Sequence, residues 1–208
     1  MKINISHKNL LDIINLHYKV FYPIKEFVGK KDFLSIIYNY RTTNNIFFPM
    51  PIYLNIKEKE YRSIKKKRIV EAVYKSKKVC VLKIKSYFKV NKKIIGEKIF
   101  NTDSKKHSGY NEFINGGDYF INCSISKFNN KIMKKINYSK PLDIKLLFFK
   151  RKIKKITGFH TRNAPHKAHE WIHSYGLKKC GSLLIHPLIG QFKKGEYKED
   201  IVIKSNNK

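Results

Sequence analysis

Residues 154–187, KKITGFHTRNAPHKAHEWIHSYGLKKCGSLLIHP, decide the fold of this chain. Lys154 to Phe159 has the length of a short strand, which Gly158 is expected to close. His160 to Pro165 reads as a loop. From His166 to Cys180 the apolar residues Ala168, Trp171, Ile172, Tyr175 and Leu177 follow helical spacing. Pro165 suits a first helical turn, where its missing N–H costs nothing. Asn163 suits the N-cap, where a side-chain oxygen takes a free backbone N–H, and Gly181 suits the left-handed residue that ends a helix. Ser182 to Ile185 is a second apolar run, ending in His186-Pro187. Strand, loop, helix, strand is a βαβ unit, so the two strands are expected to run parallel.

The loop between strand and helix gathers the chemistry. Five of the eight histidines (His160, His166, His169, His173 and His186) and one of the five arginines, Arg162, fall between residues 160 and 186. Ligands of open parallel sheets bind outside the carboxyl ends of the strands, and this loop leaves such an end. It also enters a helix N-terminus, whose free N–H groups and dipole favour anions. Arg162 adds a planar fork that fits phosphate or sulfate oxygens. His166 and His169, three apart, are expected on one face of the first helical turn, aimed at one ligand. This donor set suits substitution at phosphorus by a substrate that is itself an oxyanion. No side-chain nucleophile is needed, and catalysis is positioning plus charge stabilisation.

Other readings of the same residues stay open. His166, His169 and His173 could bind zinc, although only Glu170 lies near enough in sequence to join them; no resident metal site is expected. A plain helix start with surface imidazoles also fits the spacing. Thr161 could serve only to satisfy a turn. Phe159, Trp171, Ile172 and Leu184 are expected in the core rather than against a ligand.

Upstream the texture changes. Leu10 to Val20 and Lys31 to Tyr40 carry helical spacing, the second with Phe33, Leu34, Ile36 and Ile37 on one side. Short β-like runs follow at Pro51 to Ile56, Ile69 to Tyr74, Val79 to Tyr87 and Asp118 to Ile125, punctuated by Gly, Asn, Asp and Ser. This pattern predicts a compact α+β or barrel-like domain. The polar segment Lys131 to Lys140, followed by Pro141, marks the boundary region, and the domains are drawn at 1–146 and 147–208.

Charge dominates the composition: 45 basic against 15 acidic residues, a formal net charge of +30 over 208 residues. Nucleic-acid binding is one reading of such a balance. Against it, 40 of the basic residues are Lys, and Lys, Ile and Asn together supply 87 of the 208 positions. That trio is the mark of AT-rich codons, which load exposed positions with Lys. In this background each Arg is informative, because Lys cannot copy a bidentate fork. Three widely spaced cysteines argue against a disulfide framework and fit a reducing cytoplasm. No apolar run approaches the ~18 residues of a membrane span, and Asp12 interrupts the N-terminal apolar stretch, so no secretory signal is expected.

The segment Gly158-Phe159-His160-Thr161-Arg162-Asn163-Ala164-Pro165-His166-Lys167-Ala168-His169-Glu170 resembles the signature of the ATP sulfurylase (sulfate adenylyltransferase) family, a Q-T-R-N-P-x-H-x-x-H run. Ser182-Leu183-Leu184-Ile185-His186-Pro187-Leu188-Ile189-Gly190 is similar to the family's next strand, and Lys194-Gly195-Glu196 to its K-x-G-D continuation. Weaker similarities precede these in the same order: Tyr22 to Phe27, Phe48 to Leu54, Asn101-Thr102-Asp103 with His107-Ser108-Gly109, and Gly117 to Phe120. The resemblance implies a fold of mixed α+β and α/β class. A PUA-like β-rich N-terminal domain would be followed by the parallel βαβ start of a Rossmann-like nucleotidyltransferase domain.

The reaction implied is ATP plus sulfate giving adenylyl sulfate and pyrophosphate, with Mg2+ carried by ATP. By position, Thr161, Arg162, Asn163, His166 and His169 would form the catalytic loop. Arg162 would hold sulfate, with His160, Asn163 and His186 as further substrate contacts. His166 and His169 would hold ATP phosphates and stabilise charge as pyrophosphate leaves. His160 stands where the family commonly has Gln; it can still donate, but its charge becomes pH-dependent. Asn101 and Ser108 also depart from the family pattern. Family members are about twice as long and continue to a G-R-D-H-A-G type loop with no counterpart here. The front half of a split or truncated enzyme is therefore expected, acting with a second chain that carries the missing half or as a homo-oligomer. The alternatives are an inactive remnant acting as a basic RNA-binding PUA-like protein, and a generic nucleotidyltransferase of the H-x-x-H type.

Overall fold

The longer helices and strands of the N-terminal region follow from where their apolar residues fall. The computed structural model describes residues 1–135, 140–188 and 197–206. The chain forms two compact units, Met1–Tyr138 and Ser139–Lys208.

Unit 1 opens with β1 (Lys2–Asn4) and α1 (His7–His17). The helix starts three residues before its apolar pattern because the Ser6 hydroxyl accepts a hydrogen bond from the Asn9 N–H at 3.1 Å. Leu10, Ile13 and Ile14 are fully buried, the i, i+3, i+4 stripe of a helix on a sheet. α2 (Lys30–Asn39) buries Phe33, Ile36 and Ile37, while Leu34 stays half-exposed beside them. β2 (Leu54–Ile56) and the short α3 (Glu58–Ile64) lead to β3 (Ile69–Tyr74) and β4 (Lys77–Phe88). The two-residue turn between β3 and β4, Lys75-Ser76, has positive φ at both positions (45° and 62°). That handedness matches the twist of the flanking strands. α4 (Lys92–Phe100), α5 (Ser108–Asn115) and β5 (Tyr119–Ser126) follow, then a 3-10 turn over Asn130–Lys135.

The five strands lie in the order β1-β3-β4-β5-β2, parallel only between β1 and β3. Phe27, Phe33, Phe120, Leu54, Leu82 and Ile121 are buried within this unit, and the Phe33 ring lies 5.1 Å from Phe120 and 5.6 Å from Phe88. The strand expectations over 69–74, 79–87 and 118–125 agree with β3, β4 and β5. The sequence shows no helical period over α3, α4 and α5, which are too short for one to emerge. Asn101, one of the departures from the family pattern, is the left-handed cap of α4 (φ 52°). His107 caps α5 through Nδ1, which accepts from the Tyr110 N–H at 3.2 Å.

Unit 2 begins with α6 (Pro141–Lys150), which runs across positions 146 and 147 and buries none of its residues. β6 (Thr157–Thr161), α7 (Lys167–Cys180) and β7 (Leu183–Pro187) form the expected βαβ unit. The two strands are parallel and in register from Thr157↔Leu183 to Thr161↔Pro187. α8 (Glu199–Asn206) packs against β7.

Three local expectations are corrected. Gly158 does not end the first strand: pairing with β7 carries it through His160 and Thr161, and the Leu188 N–H continues onto the Thr161 carbonyl at 2.7 Å. Asn163 is not the N-cap of the helix. His166 takes that place (φ −143°, ψ 172°), because Pro165 disfavours helical backbone at Ala164. Trp171 (70% exposed) and Ile172 are on the surface, and Phe159 and Leu184 are only half-buried. Two strands and the helices of this unit offer too little surface to cover them. Among its described residues Val202 is the one buried apolar side chain. Ile189-Gly190 and Lys194-Gly195-Glu196 lie outside the described residues.

Candidate functional site

Parallel pairing brings the carboxyl ends of β6 and β7 to one edge, and the crossover returns α7 with its N-terminus at that same edge. The helix is held close to β6 at Gly176, where an added Cβ would stand 2.8 Å from Thr157 Cγ2. The Thr157 hydroxyl donates to the Gly176 carbonyl at 3.1 Å. At the far end, Gly181 takes φ 73° and its N–H closes on the Leu177 carbonyl at 2.7 Å.

Strand alternation sorts the side chains onto two faces. Thr157, Phe159 and Thr161 face α7; Gly158 and His160 face away. Thr161 is buried, and its hydroxyl accepts from the Asn163 N–H at 3.1 Å. It fixes the turn that presents Arg162 and Asn163, both exposed.

Phe159 organises the imidazoles on the helix side. Its ring meets His169 edge-on at 5.1 Å and His173 edge-on at 4.4 Å. His166, at the cap, stacks on His169 with centroids 3.9 Å apart. His169 Nδ1 and His173 Nε2 are buried without a hydrogen bond. Burial, reinforced by repulsion from His166 and His173, holds the His169 imidazole below its ordinary value, so it stays neutral further into the acid range. A neutral imidazole at a helix start donates one hydrogen bond without adding charge.

On the opposite face, His160 and His186 are register partners. Their Nδ1 atoms are 3.2 Å apart and their rings are tilted by 45°. The structure thus brings the sequence candidates together as three groups. His166 and His169 stack on the helix side, His160 and His186 pair on the other, and Arg162 and Asn163 occupy the turn between strand and helix. The sequence places Phe159 in the core and His173 only in the zinc alternative, not among the substrate contacts. The signal for Phe159 is the alternation of 157, 159 and 161 along a strand that runs past Gly158, and that for His173 is its helical spacing from His169.

The donors here are imidazole, guanidinium, hydroxyl and amide. Among the described residues no group of three or more His, Cys, Asp or Glu side chains is placed to hold a metal ion. The set lacks the carboxylate oxygens that Mg2+ prefers, so the loop does not fit a resident Mg2+. Elsewhere, a cleft of about 680 Å3 in unit 1, between α1, β2 and α5, contains none of these residues. Among the described residues no helix is long and apolar enough to cross a membrane.

Comparison with known proteins gives matches over nearly the whole chain. A family model described as a PUA-like domain matches residues 1–130, and one described as ATP-sulfurylase matches residues 136–208. The chain is 28% identical over 204 residues to a protein of Thermococcus onnurineus named sulfate adenylyltransferase, covering 98% of this chain and 53% of that one. It is 25% identical over 203 residues to the protein of that name from Staphylothermus marinus, covering 96% and 53%. A solved structure described as a hexameric APS kinase from Thiobacillus denitrificans matches with a TM-score of 0.66 over 94% of this chain and 35% of its own. At 12% identity that likeness concerns the fold alone. The chain spans about half the length of the curated relatives it matches.

Proposed function

Since the chain belongs to the ATP sulfurylase family, with a PUA-like domain followed by the parallel βαβ start of the Rossmann-like catalytic domain, we propose that it takes part in sulfate adenylyl transfer. In this reading the turn from Thr161 to His169 holds the anionic reactants of ATP plus sulfate giving adenylyl sulfate plus pyrophosphate. The supporting observation is the turn itself. Buried Thr161 fixes it, and it lifts Arg162 and Asn163 out beside a helix start capped by stacked His166 and His169.

Arg162 takes sulfate through its fork, with Asn163 donating beside it. His166 and His169 donate to the phosphate oxygens, where charge grows as the bond to pyrophosphate breaks. A sulfate oxygen attacks the α-phosphorus, the bond to the bridging oxygen breaks, and no protein nucleophile is consumed. His160 and His186 approach the same edge from the other sheet face as further oxyanion contacts. Mg2+ enters as part of the ATP substrate, held by phosphate oxygens rather than by this loop.

The chain covers about half of its relatives, and Phe149, Trp171 and Tyr175 are exposed on unit 2. In this reading the active unit includes further polypeptide that covers these side chains, corresponding to the relatives' remaining half or supplied by a homo-oligomer. A cytoplasmic setting suits the free thiols Cys80, Cys123 and Cys180.

The test is sulfate-dependent pyrophosphate release from ATP. It is measured on this chain alone and after mixing with a chain carrying the relatives' remaining half. Arg162→Ala is expected to lower kcat/KM by about 10²–10³, the cost of one charge-stabilising donor. Unchanged release after replacing both Arg162 and His166 would refute the assignment.

A further inference from the structure

The His160–His186 pair has a geometry that an oxyanion contact does not require. The two residues are lateral neighbours on adjacent parallel strands, on the sheet face away from Phe159 and α7, and both are exposed. Their Nδ1 atoms face each other at 3.2 Å. Two neutral rings share that line in one way, with one Nδ1–H donating to the bare Nδ1 of the other. Two imidazole nitrogens bound at 2.0–2.1 Å to one tetrahedral zinc ion stand about 3.3 Å apart. The pair is therefore already spaced as a chelate, and the strand register, rather than a mobile loop, sets the spacing.

We propose that His160 and His186 form a two-imidazole site for a divalent transition ion of the zinc or copper class. Binding replaces the shared hydrogen bond with two N–metal bonds. On the ring that carried it, the proton moves from Nδ1 to Nε2, so a neutral pair takes up the ion with no net proton release. Two nitrogen donors without a neighbouring carboxylate on either strand select zinc or copper over Mg2+ or Ca2+. The two remaining positions of a tetrahedral ion are left to water or to a small oxyanion, which a chain of net charge +30 draws towards itself.

The other imidazole row is not an equivalent site. His166 and His169 meet face to face at 3.9 Å, which turns ring faces rather than lone pairs towards each other, and His173 is edge-on to Phe159. The site concerns the bare chain and metal alone, so it stands or falls separately from the adenylyl-transfer reading.

The experiment titrates Zn2+ into the 208-residue chain, without nucleotide or sulfate, in competition with a chromophoric chelator at about pH 7.5, above the ordinary imidazole range. Cu2+ electron paramagnetic resonance on the same protein counts the coordinated nitrogens. One ion is expected per chain, with two equivalent imidazole nitrogens. His160→Gln and His186→Gln should each lower affinity at least tenfold, since even an outer-shell partner is worth about 10–100-fold. Each should leave one nitrogen in the spectrum. The double variant His169→Gln/His173→Gln should change affinity by less than about twofold, as expected of a separate cluster. Absence of Zn2+ binding, affinity unchanged in His160→Gln, or loss of the ion with the His169/His173 variant would each overturn the proposal.

Discussion

His169 and Asp12 show how burial sets the charge state of single residues. His169 has its folded pKa lowered by burial first and by its neighbouring imidazoles second. A depressed histidine contributes stability that is present above the unfolded value and lost as pH falls below it. Melting curves between pH 7.5 and pH 5.5, on either side of the unfolded value of ~6.5, should therefore show His169→Gln losing less stability on acidification than the parent chain. Equal losses would contradict it. Asp12 has the opposite sense. Burial raises its carboxyl despite the Lys8 ammonium at 3.4 Å, so its ionised form weighs against folding. That cost is absent at low pH and appears as pH rises through the folded value. Asp12→Asn is expected to raise Tm at neutral pH, and that gain should fade on acidification. Cys80 is similarly displaced, with burial pushing its thiol up to about 12, which leaves it inert.

At the scale of elements, legibility depended on length and on period. β3 and β4 were visible because their apolar runs are bounded by turn residues. The βαβ unit was visible because one proline, one glycine and a helical repeat punctuate it. α3, α4 and α5 span fewer than ten residues each, too short for a period to emerge, and tertiary burial of Ile64, Ile95 and Phe113 holds them. The sequence alone puts the strand end at Gly158, because glycine commonly closes strands. Here nothing lies within 4 Å of where its Cβ would be, and pairing with β7 carries the strand on. That one shift moved His160 from a loop to a strand face and separated it from His166. The close approach of α7 to β6 is testable. Gly176→Ala places a methyl against the stiff, β-branched Thr157, and overpacking of this kind costs about 1–3 kcal/mol. Thr157→Ala should recover part of that cost in a double-mutant cycle read by denaturant unfolding. Simple additivity would show that the two side chains do not meet.

For the whole molecule, the two units differ in how they are held. Unit 1 carries nearly every buried apolar side chain, whereas unit 2 leaves Phe149 82% exposed and Trp171 70% exposed. Hydrogen exchange should accordingly find the slowest amides in β3, β4 and β5 and much faster ones in β6 and β7. Comparable protection in both sheets would contradict this ordering. The charge of +30 resides almost entirely in Lys, so binding to single-stranded RNA should lack sequence preference and fall steeply with salt. A shallow salt slope with clear sequence preference would instead support the RNA-binding reading of the PUA-like domain. We propose that the turn between β6 and α7 clasps the anionic reactants. Equilibrium binding of adenylyl sulfate by calorimetry, in an assembly competent for pyrophosphate release, tests it most directly. Arg162→Ala/His166→Ala is expected to abolish measurable binding while the fold persists; binding at parental affinity in that variant would refute the clasp.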